Sequence, residues 1–186
     1  MTDAPRLLLI SGALRKGSTN TMLCREAARV FGDCTTEEAD LNLPLFDADL
    51  EAEGAPEPVA RLVAQVKAAD GVIISTPEYN KNLPGVLKNA LDWISRDKVD
   101  GKMPLAGKPV AILSAASGRA GGERAQFSLR HCLTPFNPRV LQGPEVFVAA
   151  AAKAFDEDGK LSNEMTLDLL GKLMAALKAE IELVKG

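Results

Sequence analysis

Arg6-Leu-Leu-Leu-Ile10 runs into Ser11-Gly-Ala-Leu-Arg-Lys-Gly-Ser-Thr-Asn20, and Thr21 to Phe31 follows at helical spacing. The first segment is continuously apolar after Arg6, which reads as a strand buried on both faces. Leu23, Ala27, Val30 and Phe31 mark one face of the helix. The loop between is not a dinucleotide turn, because Leu14 stands where the second glycine of G-x-G-x-x-G belongs. Gly12 and Gly17 have P-loop spacing, but Ser18 occupies the lysine position. What the loop does carry is hydroxyls (Ser11, Ser18, Thr19), an amide (Asn20) and Arg15 around a helix start. That pattern describes an anion nest: N–H groups point outward, the helix dipole favours negative charge, and Arg15 adds a charge-assisted bond. The plainer reading is that Ser18 or Thr19 only caps the helix and Arg15 is solvated.

Outward from this unit the pattern repeats. Thr36 to Leu41 reads as a weak second strand, and acidic, proline-containing Asn42 to Pro58 as loop. Pro58 to Ala69 is a helix with Val59, Leu62, Val63 and Val66 on one side, and Gly71 to Ser75 is a buried strand. Pro84 to Arg96 is a helix that Pro84 can open, since the first turn does not need its N–H. Pro109 to Ser114 is a strand, Gly121 to Leu133 a helix, and Arg139 to Val148 contains a fifth strand that Pro144 bends or ends. Asp156 to Gly159 is a turn, and Asn163 to Val184 a long amphipathic helix. The order βαβαβαβαβα with continuous apolar strands predicts one α/β domain over residues 1–186. Its core is a doubly wound parallel sheet with helices on both faces. Five strands suit the flavodoxin-like order 2-1-3-4-5, in which ligands bind beyond the carboxyl ends of the strands.

That rule points to two more loops. Thr76-Pro-Glu-Tyr-Asn-Lys-Asn-Leu-Pro-Gly85 follows the third strand and holds the only tyrosine. Pro77 and Pro84 restrict it at both ends, so it reads either as a grip for a planar heterocycle or as a rigid turn. Ser114-Ala-Ala-Ser-Gly-Arg-Ala-Gly-Gly122 follows the fourth strand, and its glycines allow close backbone approach to a ligand or simply a turn at positive φ.

Composition excludes several function classes. A net charge of −3 gives no field toward nucleic acid or anionic lipid. Cys24, Cys34 and Cys132 form no C-x-x-C pair and His131 is the only histidine, so no metal or iron–sulfur site is expected. No nucleophile elbow occurs. Leu7 to Ile10 is too short for a signal sequence and Val146 to Ala152 too short for a membrane span, so the expected location is the cytoplasm.

The loop Ser11–Asn20, the tetrapeptide Pro77-Glu-Tyr-Asn80 and Leu83-Pro-Gly-Val-Leu-Lys-Asn-Ala-Leu-Asp-Trp93 together resemble the NAD(P)H-dependent FMN reductases, in particular the chromate/quinone reductase-like branch. Ala13 departs from the second serine that members often carry. The resemblance implies that Ser11, Arg15, Ser18, Thr19 and Asn20 hold the FMN phosphate. It implies that Pro77, Glu78, Tyr79 and Asn80 line the isoalloxazine, mostly through backbone, and that Ser117 and Gly118 approach it. Hydride would pass from NADH or NADPH to flavin N5 and on to a quinone, free flavin or ferric or chromate acceptor. Because the cofactor carries that chemistry, no catalytic side chain is required. The alternative is a flavodoxin-type electron carrier without turnover.

The helix Pro84–Arg96 carries an apolar arc about 160° wide, broader than the roughly 100° needed to cover a sheet. Its surplus edge holds Trp93. The expected cover is a second copy across a two-fold axis; the competing cover is the chain's own Asp47 to Pro58 loop. The resemblance likewise implies a homodimer or homotetramer.

Overall fold

Successive side chains leave opposite faces of a strand, so Leu7 to Ile10 needs apolar cover on both sides. The computed structural model describes residues 4–98 and 100–186, and it supplies that cover. The strands are β1 (Arg6–Ser11), β2 (Thr35–Glu38), β3 (Gly71–Thr76), β4 (Pro109–Ala115), β5 (Arg139–Val140) and β6 (Val146–Val148). The helices are α1 (Thr19–Phe31), α2 (Ala48–Ala52), α3 (Glu57–Ala68), α4 (Gly85–Ile94), α5 (Glu123–Leu133) and α6 (Glu164–Lys185). Leu7 and Leu9 join Ile73, Ala111 and Leu113 under α1 and α6. Leu8 and Ile10 join Val72, Ile74 and Ile112 under α3, α4 and α5.

All strand pairs are parallel, in the order β2-β1-β3-β4-β5. The fold is thus the flavodoxin-like arrangement expected. The fifth position is interrupted: Arg139 and Val140 pair with Pro109 and Val110, whereas Val146 to Val148 pair with Leu113 to Ala115. Pro144 falls in the gap, where its missing N–H cannot serve a ladder. Helix α5 starts two residues later than periodicity indicates, because Gly121 and Gly122 sit at φ +61° and +93°. Asn42 to Pro58 is not all loop; Asp47 accepts the Asp49 N–H (2.9 Å) and caps the short α2. Among the described residues no helix is long and apolar enough to cross a membrane.

The cover of Trp93 differs from expectation. Its indole N–H donates to the Pro44 carbonyl (2.8 Å), and Phe46 packs edge-on at 5.0 Å between ring centroids. Trp93 is 2% exposed within one chain. The segment Pro44–Phe46, just before the Asp47–Pro58 loop, therefore supplies the partner that the apolar arc demanded. An indole needs both apolar contact and an acceptor for its N–H, and this loop offers both.

Candidate active site

The site is built from the loops at the carboxyl ends of β1, β3 and β4. Gly17 takes φ +67°, which turns the chain into α1. Ser18 is the N-cap, 4% exposed, and its Oγ accepts the Asn20 N–H at 3.2 Å. No acidic residue lies in the first turn of α1. The N–H groups of Ser18 and Thr19 have no acceptor among the described residues. The dipole is therefore open toward solvent, with Arg15 beside it, its Nη2 donating to the Gly17 carbonyl (3.1 Å).

Asn20 is buried, and its side chain spends most of its hydrogen bonds on the sheet. Its Oδ1 accepts from Ser75 Oγ (2.8 Å) and from the Ala115 N–H (3.0 Å), while Nδ2 donates to the Ala115 carbonyl (2.9 Å). One amide proton remains. This side chain pins the start of α1 to β3 and β4, so the first loop is held from below.

The second loop leaves β3 at Pro77. Tyr79 and Asn82 exchange N–H···O bonds of 3.0 and 3.1 Å around Asn80 and Lys81, at φ 50° and 66°. Two successive positive-φ residues make a type I′ turn, here without glycine. Tyr79 stands 55% exposed at its base. The Glu78 carboxylate is not free: it accepts the Arg124 N–H at 3.1 Å and lies 3.4 Å from the Arg124 guanidinium. It thus caps α5, whose own N-cap residue, Gly122, has no side chain to do so.

Two glycines of the third loop answer to packing. A Cβ on Gly122 would meet Ser114 Cβ at 2.7 Å, and one on Gly121 would meet the Phe147 carbonyl carbon at 2.9 Å. Gly118 has open space around its missing Cβ.

These elements enclose a cleft of about 320 Å³. Arg15, Ser18, Thr19 and Asn20 meet Pro77, Glu78, Tyr79 and Ser117 in its lining. Asn80 and Gly118 lie outside that lining, and Ser11 faces a neighbouring recess across the first loop. Ala151 and Ala152, after β6, line the cleft as well. Two alanines carry no chemical signature; only their place past a sheet strand could have pointed to them. Among the described residues no cluster suited to a metal occurs. His131 and Cys132 lie outside the cleft, on α5.

The arrangement offers an anion seat, a constrained polypeptide edge and small residues opposite it, with no acid–base pair. Known proteins resemble the chain along its length. A model of the family described as NADPH-dependent FMN reductase matches residues 5–153. An NAD(P)H-dependent FMN reductase of Pseudomonas aeruginosa is 40% identical over 188 residues, covering 100% of both chains. A quinone reductase of Escherichia coli strain K12 is 37% identical over 190 residues, again covering 100% of both. Among solved structures, the flavoenzyme NAD(P)H:(acceptor) oxidoreductase FerB from Paracoccus denitrificans superposes with a TM-score of 0.86 at 31% identity, over 97% of this chain and 98% of that one.

Proposed function

This chain belongs to the NADPH-dependent FMN reductase family, and from that premise we propose that it is an FMN-dependent NAD(P)H oxidoreductase that reduces quinones. One observation carries the reading: the open N-terminus of α1, with Arg15 and Ser18, shares a single cleft with Pro77, Glu78 and Tyr79. FMN needs that pairing, a dianion seat at one end and a flat, hydrogen-bonding edge at the other. The residues fit the group. The Ser18 and Thr19 N–H groups and the Arg15 guanidinium would hold the phosphate. Ser11 stands outside the cleft, so its part is to brace Thr21, from which it accepts a hydrogen bond of 2.9 Å. Asn20 holds the helix start in place and has one proton left for the phosphate. The peptide groups of Pro77, Glu78 and Tyr79 would meet the ring edge, with Ser117 across from them, while Asn80 and Gly118, outside the lining, would shape the two loops.

When bound, FMN supplies the hydride chemistry, accepting from NAD(P)H and delivering to the acceptor. The protein positions the group, excludes water with Tyr79 and the Ala151–Ala152 turn, and contributes no proton-transfer residue. The acceptors extend to free flavin and to ferric or chromate species, because an open ring face discriminates little. Donor and acceptor use that face in turn, so steady-state kinetics should be ping-pong.

We place the protein in the cytoplasm as a homodimer or homotetramer through the helix Pro84–Arg96. Trp93 no longer argues for that assembly. A groove of about 400 Å³ between α3 and α4, bordered by Val59, Val63 and Trp93, supports it instead. Light scattering that returns a monomer near 20 kDa at micromolar concentration would remove the assembly from the proposal.

The deciding experiment is the visible spectrum of the purified protein, followed under anaerobic NADH or NADPH. Flavin bands that bleach rapidly are expected. Flavin bands that do not bleach select an electron carrier, and a colourless protein that takes up no FMN removes the proposal.

A further inference from the structure

The first loop separates two recesses. The second, of about 410 Å³, opens on the β2 side, and Ala13 borders both. Its floor is apolar: Leu9 and Leu41 are each 3% exposed. The Cys24 thiol completes the floor, bonded to the Ile10 carbonyl; burial pushes its pKa up to about 12, so it is uncharged at neutral pH. Over the lip stands Leu14, an apolar side chain left 51% exposed on an otherwise polar loop.

Ser11, Thr21, Glu38, Asp40 and Asn42 supply the polar part of the lining. Ser11 Oγ accepts from Thr21 Oγ1 and keeps its own proton to donate. Asp40, just past β2, accepts the Asn42 N–H on Oδ1 (2.9 Å) and leaves Oδ2 available. It makes no ion pair among the described residues. The neighbouring Glu38 is bound by Arg25 through both oxygens (2.6 and 2.9 Å), which holds its carboxyl below the usual range. Asp40 is therefore the uncompensated charge of this recess.

Leucines in the floor and at the rim offer apolar contact to a purine face within an otherwise polar lining. A carboxylate at the end of β2 suits a ribose, whose vicinal hydroxyls both donate; acidic residues in the equivalent place hold the adenosine ribose in dinucleotide folds. We propose that this recess takes the adenosine end of the nicotinamide dinucleotide and that Asp40 selects NADH over NADPH. The inference rests on the reductase reading above. Arg15 is given to the FMN phosphate, so Lys16, on the loop between the recesses and without an ion pair among the described residues, is the cation left for the diphosphate. A 2′-phosphate would bring close to two negative charges against Asp40, with Arg25 already committed to Glu38. That repulsion, near the surface, should weaken binding about tenfold.

The test is calorimetric titration of the FMN-saturated protein with AMP and with adenosine 2′,5′-bisphosphate. FMN saturation keeps both probes out of the first cleft. AMP should bind, with the bisphosphate about tenfold weaker. Asp40→Ser should bring the two within about twofold, and Leu14→Asp should weaken AMP about fivefold; both side chains are exposed, so both variants should fold. Absence of AMP binding, or a preference unchanged in Asp40→Ser, overturns the inference. If NADH still bleaches the flavin while AMP fails to bind, only this inference falls. A protein that NADH does not bleach overturns the reductase reading and this inference with it.

Discussion

Helices α1 and α5 both begin at the carboxyl edge of the sheet after a glycine-containing loop, yet their first turns are satisfied in opposite ways. At α1, Ser18 caps from within and the first turn holds no acidic residue. At α5, Gly122 offers no side-chain cap, Glu123 stands in the first turn, and Glu78 arrives from the second loop to take the Arg124 N–H. A helix N-terminus carries about half a positive charge. At α5 two carboxylates already answer it. At α1 no first-turn carboxylate does, and Arg15, with the same sign as the dipole, lines the same cleft. An incoming phosphate is thus drawn to one helix and not to the other, although both starts look glycine-rich in sequence. The filled terminus has its own use, because Glu78 ties the second loop to the third.

The severest way to break this contrast is to release the open terminus from the sheet. Asn20→Leu strands the Ser75 hydroxyl and the Ala115 peptide in the interior. It should cost about 3 kcal/mol and lower the melting temperature by roughly 6–12 °C in a thermal scan. An unshifted melting curve would mean that α1 is held by other contacts.

Arg15→Ala should leave the melting curve of the apoprotein nearly in place, within about 0.5 kcal/mol. FMN affinity should fall about tenfold to a hundredfold, as the loss of one charge-assisted phosphate bond implies. Flavin titration of the refolded apoprotein measures it, and equal affinity would deprive α1 of its anion seat.

Glu78→Gln addresses the filled terminus. It should cost about 1 kcal/mol of stability in denaturant unfolding. FMN affinity should change less than in Arg15→Ala, since the proposed ring contact of Glu78 runs through its backbone. A larger loss of FMN than in Arg15→Ala would reverse the contrast. The smallest effect belongs to the far end of α5. His131→Ala and Cys132→Ala should keep most turnover in steady-state kinetics with FMN bound, and a steep drop in either would place a protein catalyst where none is expected.

Local pattern carried much of the architecture. Leu7 to Ile10, Val72 to Ile74 and Val110 to Leu113 are unbroken apolar runs, and a sheet covered on both faces buries them. Helix periodicity was equally legible, in α6 to within a residue at each end. Two boundaries slipped where glycine or proline sets the backbone: α5 waits for Gly122, and the fifth strand breaks around Pro144; β2 also ends at Glu38, three residues short of the expected Leu41. The candidate site was legible as three loops at one edge. It was not legible as a list of contacts, and for that reason Ser11 falls on the other side of its loop and the alanines after β6 enter unannounced.

By itself, then, the sequence determined the order of elements, the parallel sheet and the loops that hold the cleft, because each follows from the spacing of apolar residues and turn formers a few positions apart. Only the tertiary structure decided what each polar or aromatic side chain spends its bonds on. Trp93 binds the carbonyl of Pro44, Asn20 joins Ala115 across 95 positions, and Glu78 caps a helix that begins 45 residues later. Hydrogen bonds and charges act over a few ångströms of space regardless of distance along the chain, so a pattern read within a few residues contains no record of them.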